Sequence, residues 1–115
     1  MPDNSLSSLR LTVQTEKGAI VITPSGDIDL NGSPALRAEL KKHNVKGSRL
    51  VVDLTGVPYM DSSGLATLVE AMQASRKNGW TLVLCALTDR VRSIFAIAKL
   101  DSVFTIVPTK ADALG

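Results

Sequence analysis

The chain has 115 residues, 44% hydrophobic and 21% charged, which suits one folded domain and excludes a disordered segment. Its 13 basic and 11 acidic side chains leave a formal net charge of +2 with no long run of like sign, and aromatics are only 3%. Neither a track for a phosphate backbone nor stacking platforms for bases are available, so direct nucleic-acid binding is not expected. One cysteine, Cys85, excludes an internal disulfide, and with a single histidine, His43, the chain lacks the ligands of a typical structural zinc site. No cofactor is expected.

Residues 1–8 are polar, contain no apolar run of signal-peptide length and read as a flexible N-terminal tail; residues 9–115 read as the domain. No segment reaches the roughly 20 apolar residues that span a bilayer, so a cytoplasmic protein without membrane insertion is expected. Leu9, Leu11 and Val13 alternate with polar residues as in a half-buried strand. Glu16-Lys17-Gly18 turns into a second strand, Ala19 to Thr23, and the two form an antiparallel hairpin. Pro24 lacks a ladder donor, so the second strand is expected to bend or to lie near an edge there.

Asn31-Gly32 reads as a turn, and Ser33 before Pro34 as the N-cap of a first helix with Leu36 and Leu40 on one face. His43, between Lys42 and Asn44, reads as a solvated surface residue. The nearly continuous apolar run from Leu50 to Leu54 predicts a strand covered on both faces. A second helix is predicted from about Ser63 to Asn78, its buried stripe formed by Leu65, Leu68, Val69 and Met72 and its end marked by Gly79. Trp80 and Tyr59 are assigned to the rim of the sheet, and Met60 to the core beneath the loop. Leu82 to Ala86 is a fourth strand, within which Cys85 is a small buried hydrophobe. Thr88 caps a third helix with the stripe Val91, Ile94, Phe95 and Ala98, Val103 to Val107 is a last strand, and Thr109 to Leu114 adds one helical turn. The order β-β-α-β-α-β-α-β predicts a single α/β domain with a mixed sheet, parallel at its centre, and amphipathic helices packed on it.

Asp61-Ser62-Ser63-Gly64 stands where the third strand gives way to the second helix. Backbone N–H groups are unpaired at such a junction and the helix dipole is positive, so a hydroxyl or a phosphate is tolerated there. On spacing alone Ser62 is either a helix cap or a regulated hydroxyl. Asp53 ends a strand and reads as a carboxylate bonded to local backbone. No nucleophile elbow, Walker loop or dinucleotide fingerprint is present, so the chain is not expected to be an enzyme.

Gly26-Asp27-Ile28-Asp29, Val52-Asp53-Leu54 and Met60-Asp61-Ser62-Ser63-Gly64-Leu65 together resemble a STAS domain of the bacterial anti-sigma factor antagonist type, over about Leu9 to Ala113. The resemblance implies a STAS-like fold and partner switching. The serine after the motif's aspartate is phosphorylated by an anti-sigma factor that is a serine kinase. The unmodified form binds that kinase and frees a sigma factor, and a metal-dependent serine phosphatase restores binding. Carried to this chain, the phosphoacceptor is Ser62, with Ser63 the alternative. Asp29, Asp61, Ser62, Ser63 and Gly64 form the partner-binding set, Gly64 giving steric clearance at the docking face. The motif usually continues Gly-Leu-Gly, where this chain has Gly64-Leu65-Ala66. A stand-alone STAS subunit docked on a transporter or lipid-transport ATPase is one alternative. A two-component receiver domain, phosphorylated on Asp53, is another.

Overall fold

The computed structural model describes residues 8–115, and all but Ser8 of the expected tail lies outside that range. Strands β1 (Arg10–Glu16) and β2 (Ala19–Ser25) form the expected hairpin, paired antiparallel from Arg10–Ser25 to Glu16–Ala19. Helix α1 (Ser33–Lys42), β3 (Arg49–Asp53), α2 (Ser62–Asn78), β4 (Thr81–Cys85), α3 (Asp89–Ile97), β5 (Thr105–Val107) and α4 (Lys110–Leu114) follow. The five strands lie in chain order, with β2, β3, β4 and β5 mutually parallel. The mixed sheet and its helices therefore match the predicted α/β architecture.

Side chains alternate across this sheet and build two cores. Ile22, Leu50, Val52, Leu82 and Leu84 face α1, α2 and α3 in the larger one, which takes in Leu36, Leu40, Leu68, Met72, Val91 and Phe95. On the other face Ala19, Val21, Val51 and Cys85 are covered by Leu114 of α4. The unbroken apolar run of β3 is thus buried on both sides, as its sequence predicts. Burial pushes the Cys85 thiol up to about 11, with the nearby Asp53 carboxylate adding to the effect, so it stays a neutral packing group.

β2 as a whole stands between β1 and β3, and at Pro24 it is paired with β1 alone. The missing donor of Pro24 is harmless because the β2–β3 ladder ends at Ile22–Val52, before it. Several local expectations are corrected. Ser33 is not the N-cap of α1. Gly32 holds that position without a side-chain bond, and Ser33 is buried in the first turn. Asp29 organises this end instead, its Oδ1 accepting from the N–H groups of Asn31 and Gly32. His43 is half-buried rather than solvated, its Nε2 lying 2.9 Å from Glu39 Oε2 one turn earlier. That hydrogen bond, more than the neighbouring Lys42, holds the Glu39 carboxyl below its usual range.

Trp80 is buried rather than at the rim, because Asn44 Oδ1 takes its indole N–H at 2.6 Å. Tyr59 is half-buried, with the Arg90 guanidinium 4.7 Å above its ring. In α3, Val91 and Phe95 are buried but Ala98 is the exposed C-cap. The last strand is shorter than predicted because Val103 and Phe104 close a turn back onto Leu100. Gly79 ends α2 in the left-handed region at φ 75°, as expected of that residue.

Candidate functional site

The site forms because the segments after β2 and β3 stay side by side beyond the strands. Gly26 N–H donates to Gly56 O at 2.9 Å, Ile28 N–H to Tyr59 O at 3.1 Å, and Asp61 N–H to Ile28 O at 3.1 Å. An isolated parallel bridge joins Ile28 to Met60, and both side chains are buried. Leu30 is thereby brought against Asp61, 31 residues later. Met60 anchors the loop in the core as the sequence predicts.

Asp61 is the N-cap of α2, so the helix begins one residue earlier than expected. Its Oδ1 accepts from Ser63 N–H at 2.8 Å, Gly64 N–H at 3.2 Å and Ser63 Oγ–H at 2.6 Å. Its Oδ2 accepts from Leu30 N–H at 3.1 Å. Both oxygens therefore bond within this protein, and the carboxylate fixes the start of α2 against the turn that holds Leu30. Two amides at the helix tip, those of Ser63 and Gly64, are not vacant for a phosphate, because the carboxylate already holds them. The hydrogen bond from the Ser63 hydroxyl is the largest cause that holds the Asp61 carboxyl below its usual range, helped by the three amides and opposed by burial.

The sign of the resulting pH effect follows from that direction. A carboxyl with a depressed folded-state value stabilises the fold fully above its ordinary value of 3.8, and loses this contribution as pH falls through the depressed value. Asp61→Asn is expected to flatten the acid limb of the stability curve below about pH 4. Asp61→Ala, which removes the cap, is expected to cost about 1–2 kcal/mol at neutral pH. Urea melts of the three proteins at pH 7 and pH 3 measure both effects.

The two serines are now distinguishable. Ser62 is the first residue of α2 and is exposed, while Ser63 is half-buried with its hydroxyl spent on Asp61. Ser63 O also accepts from the buried Thr67 hydroxyl at 2.9 Å, which ties its backbone into the helix. Ser62 is therefore not the cap. Asp29 is half-buried, and its Oδ1 and main-chain carbonyl fix the turn into α1.

Gly64 is buried, and its role differs from clearance at a docking face. A Cβ on it would stand 2.5 Å from Met60 Cγ, 2.7 Å from Ile28 O and 2.9 Å from Ile28 Cγ2. The clearance it provides is internal, between the start of α2 and the Ile28–Met60 bridge. Sequence reasoning missed Leu30, which is 74% exposed beside this loop. An apolar residue within a polar turn was the available signal.

The receiver-domain alternative is not supported by this geometry. Asp53 Oδ1 accepts from the Thr55 hydroxyl at 2.7 Å and from its amide at 3.1 Å. Among the described residues, no three acidic or metal-ligating side chains stand together as a metal site. No helix among the described residues is long and apolar enough to cross a membrane.

Comparison with known proteins agrees with this arrangement. An anti-sigma-B factor antagonist of Listeria monocytogenes is 36% identical over 97 residues, covering 84% of this chain and 85% of its own. One from Bacillus subtilis is 30% identical over 99 residues, covering 86% and 91%. The crystal structure of an anti-sigma factor antagonist from Mycobacterium paratuberculosis superposes with a TM-score of 0.79 at 28% identity, over 93% of this chain and 92% of the other. The profile of the STAS domain matches residues 10–113, and with it the hairpin, the parallel strands and the Asp61–Gly64 turn: the chain belongs to the STAS domain family.

Proposed function

We propose that this protein is an anti-sigma factor antagonist, a binding module controlled by phosphorylation of Ser62 and acting in the cytoplasm. In its unmodified form it docks on an anti-sigma factor serine kinase, which then releases its sigma factor. Phosphorylation by that kinase ends the association, and a metal-dependent serine phosphatase restores it. The observation that carries this reading is the contrast between the serines: Ser62 offers an exposed hydroxyl at a rigid helix start, while the Ser63 hydroxyl is held by Asp61. The curated relatives with anti-sigma-B factor antagonist in their names support the class of partner.

Asp29 contributes by shape and charge. Its Oδ1 sets the turn that follows Leu30, the residue whose N–H meets Asp61. Ser63 and Gly64 contribute by holding the start of α2 in place, not by direct contact.

The test is to incubate the protein with each purified anti-sigma factor serine kinase of its source organism and magnesium ATP, then to map phosphate by mass spectrometry. One phosphate on Ser62 is expected, absent from Ser62→Ala and retained in Ser63→Ala. The product should survive hydroxylamine, which cleaves an acyl phosphate on Asp53 but not a phosphoserine. Modification of Ser63 alone, or loss of the label in hydroxylamine, would count against the assignment.

A further inference from the structure

We propose that Leu30 is the apolar anchor of the docking face and that the kinase partner carries an apolar pocket for it next to the site that receives Ser62. This rests on the reading of Ser62 given above and adds to it the source of the affinity. Four large hydrophobic residues are exposed among the described ones: Val13, Leu30, Val45 and Ile97. The topology sorts them. Ser62 follows the C-terminal end of β3, whereas Val45 lies in the connection that enters β3 at its other end. Ile97 closes α3, which starts after the C-terminal end of β4 and runs back to enter the parallel β5, so it too lies at the far end. Val13 is in the middle of the edge strand β1. Leu30 alone of the four stands at the end of the sheet that carries Ser62.

A lone surface leucine is ordinary. Leu30 differs because its backbone is fixed on both sides. Its own N–H donates to Oδ2 of Asp61, the carboxylate that caps the helix bearing Ser62. The next two N–H groups donate to Asp29 Oδ1, and those of Gly32 and Ser33 to Asp29 O. A side chain held out to 74% exposure on so constrained a turn loses little backbone freedom on docking, the condition under which an apolar anchor yields the most affinity. Asp61 thereby sets anchor and switch at a constant separation: Leu30 supplies attraction, and Ser62 decides whether it can act.

Isothermal titration of the kinase identified by Ser62 phosphorylation tests this with wild type, Leu30→Ala, Val45→Ala and Ser62→Asp. Leu30→Ala is expected to weaken binding at least about tenfold, and Val45→Ala by less than about twofold. Melting temperatures of both should stay within about 3 °C of wild type, since neither side chain is buried. Affinity of Leu30→Ala within about twofold of wild type, while Ser62→Asp is weakened, would overturn the anchor and leave the switch standing. Full binding by Ser62→Asp would overturn the switch and the anchor with it.

Discussion

Phosphorylation of Ser62 is expected to weaken binding to the kinase partner about a hundredfold or more while leaving the melting temperature of the isolated protein nearly unchanged. The two halves of this result come from different surroundings of one group. Free in solution, the phosphate adds about −1.5 to −2 charges at neutral pH. It does so on an exposed residue, where water solvates it. The N–H donors of Ser63 and Gly64 do not draw it in, because Asp61 already occupies them. Asp61 also repels it from the adjacent position, so the phosphate turns outward and the fold is little disturbed. At a docked interface the same dianion is stripped of water beside a fixed carboxylate, with the helix tip already neutralised. Like-charge juxtaposition at an interface costs on the order of several kcal/mol, and about 3 kcal/mol is already more than a hundredfold in affinity. Ser62→Ala should bind without regulation, and Ser62→Asp should fall between the extremes because it adds one charge in place of nearly two. Titration of the modified and unmodified proteins with the kinase, beside thermal melts of each, measures both halves. Equal affinities would remove the charge mechanism. A melting temperature lowered by about 10 °C would mean that phosphate acts by disrupting the fold instead.

What the sequence discloses of this molecule depends on how far each determinant reaches along the chain. The unbroken apolar run of β3, the stripe of α2 and the left-handed Gly79 are local signals, and each element lies where they predict it, although within the stripe Leu68 and Met72 are buried while Leu65 and Val69 are half-buried. Ser62 is legible because the turn that presents it is built from its own neighbours. The roles of Asp61, Gly64 and Trp80 are not, because each is decided by a partner far away in sequence. Asp61 reaches Leu30, 31 positions earlier, and Trp80 reaches Asn44, 36 positions earlier. Ser33 misleads for the opposite reason: Ser-Pro is a good local start signal, yet Asp29 satisfies the preceding amides first and the cap passes to Gly32. Local grammar thus marks where the switch sits, while long-range contacts hold it rigid.

Gly64→Ala is expected to destabilise the fold by about 2–3 kcal/mol, lowering the melting temperature by roughly 8–12 °C for a domain of this size. On an exposed helix the same change is favourable, since Ala is the better helix former by about 1 kcal/mol. Packing reverses that sign here. The added Cβ would meet Met60 Cγ at 2.5 Å and Ile28 O at 2.7 Å, both well inside ordinary contact. Met60 is a flexible side chain, but it is buried in the main core and has little space into which to retreat. Ile28 O cannot retreat at all without loss of the bond it accepts from Asp61 N–H. Relief of the clash must therefore lift the start of α2 away from the Ile28–Met60 bridge. That motion also pulls Asp61 from Leu30, so kinase binding should fall along with stability even though Ser62 is untouched. Ser62→Ala serves as the reference, because it removes a hydroxyl from the same turn without adding bulk beneath it. A Gly64→Ala protein that melts at the wild-type temperature would show that the β2–α1 and β3–α2 segments can part without cost, contrary to their shared hydrogen bonds. Loss of both stability and docking in that variant, with Ser62→Ala stable and fully bound, would place the rigidity of the switch in the contact between one missing side chain and the carbonyl of Ile28.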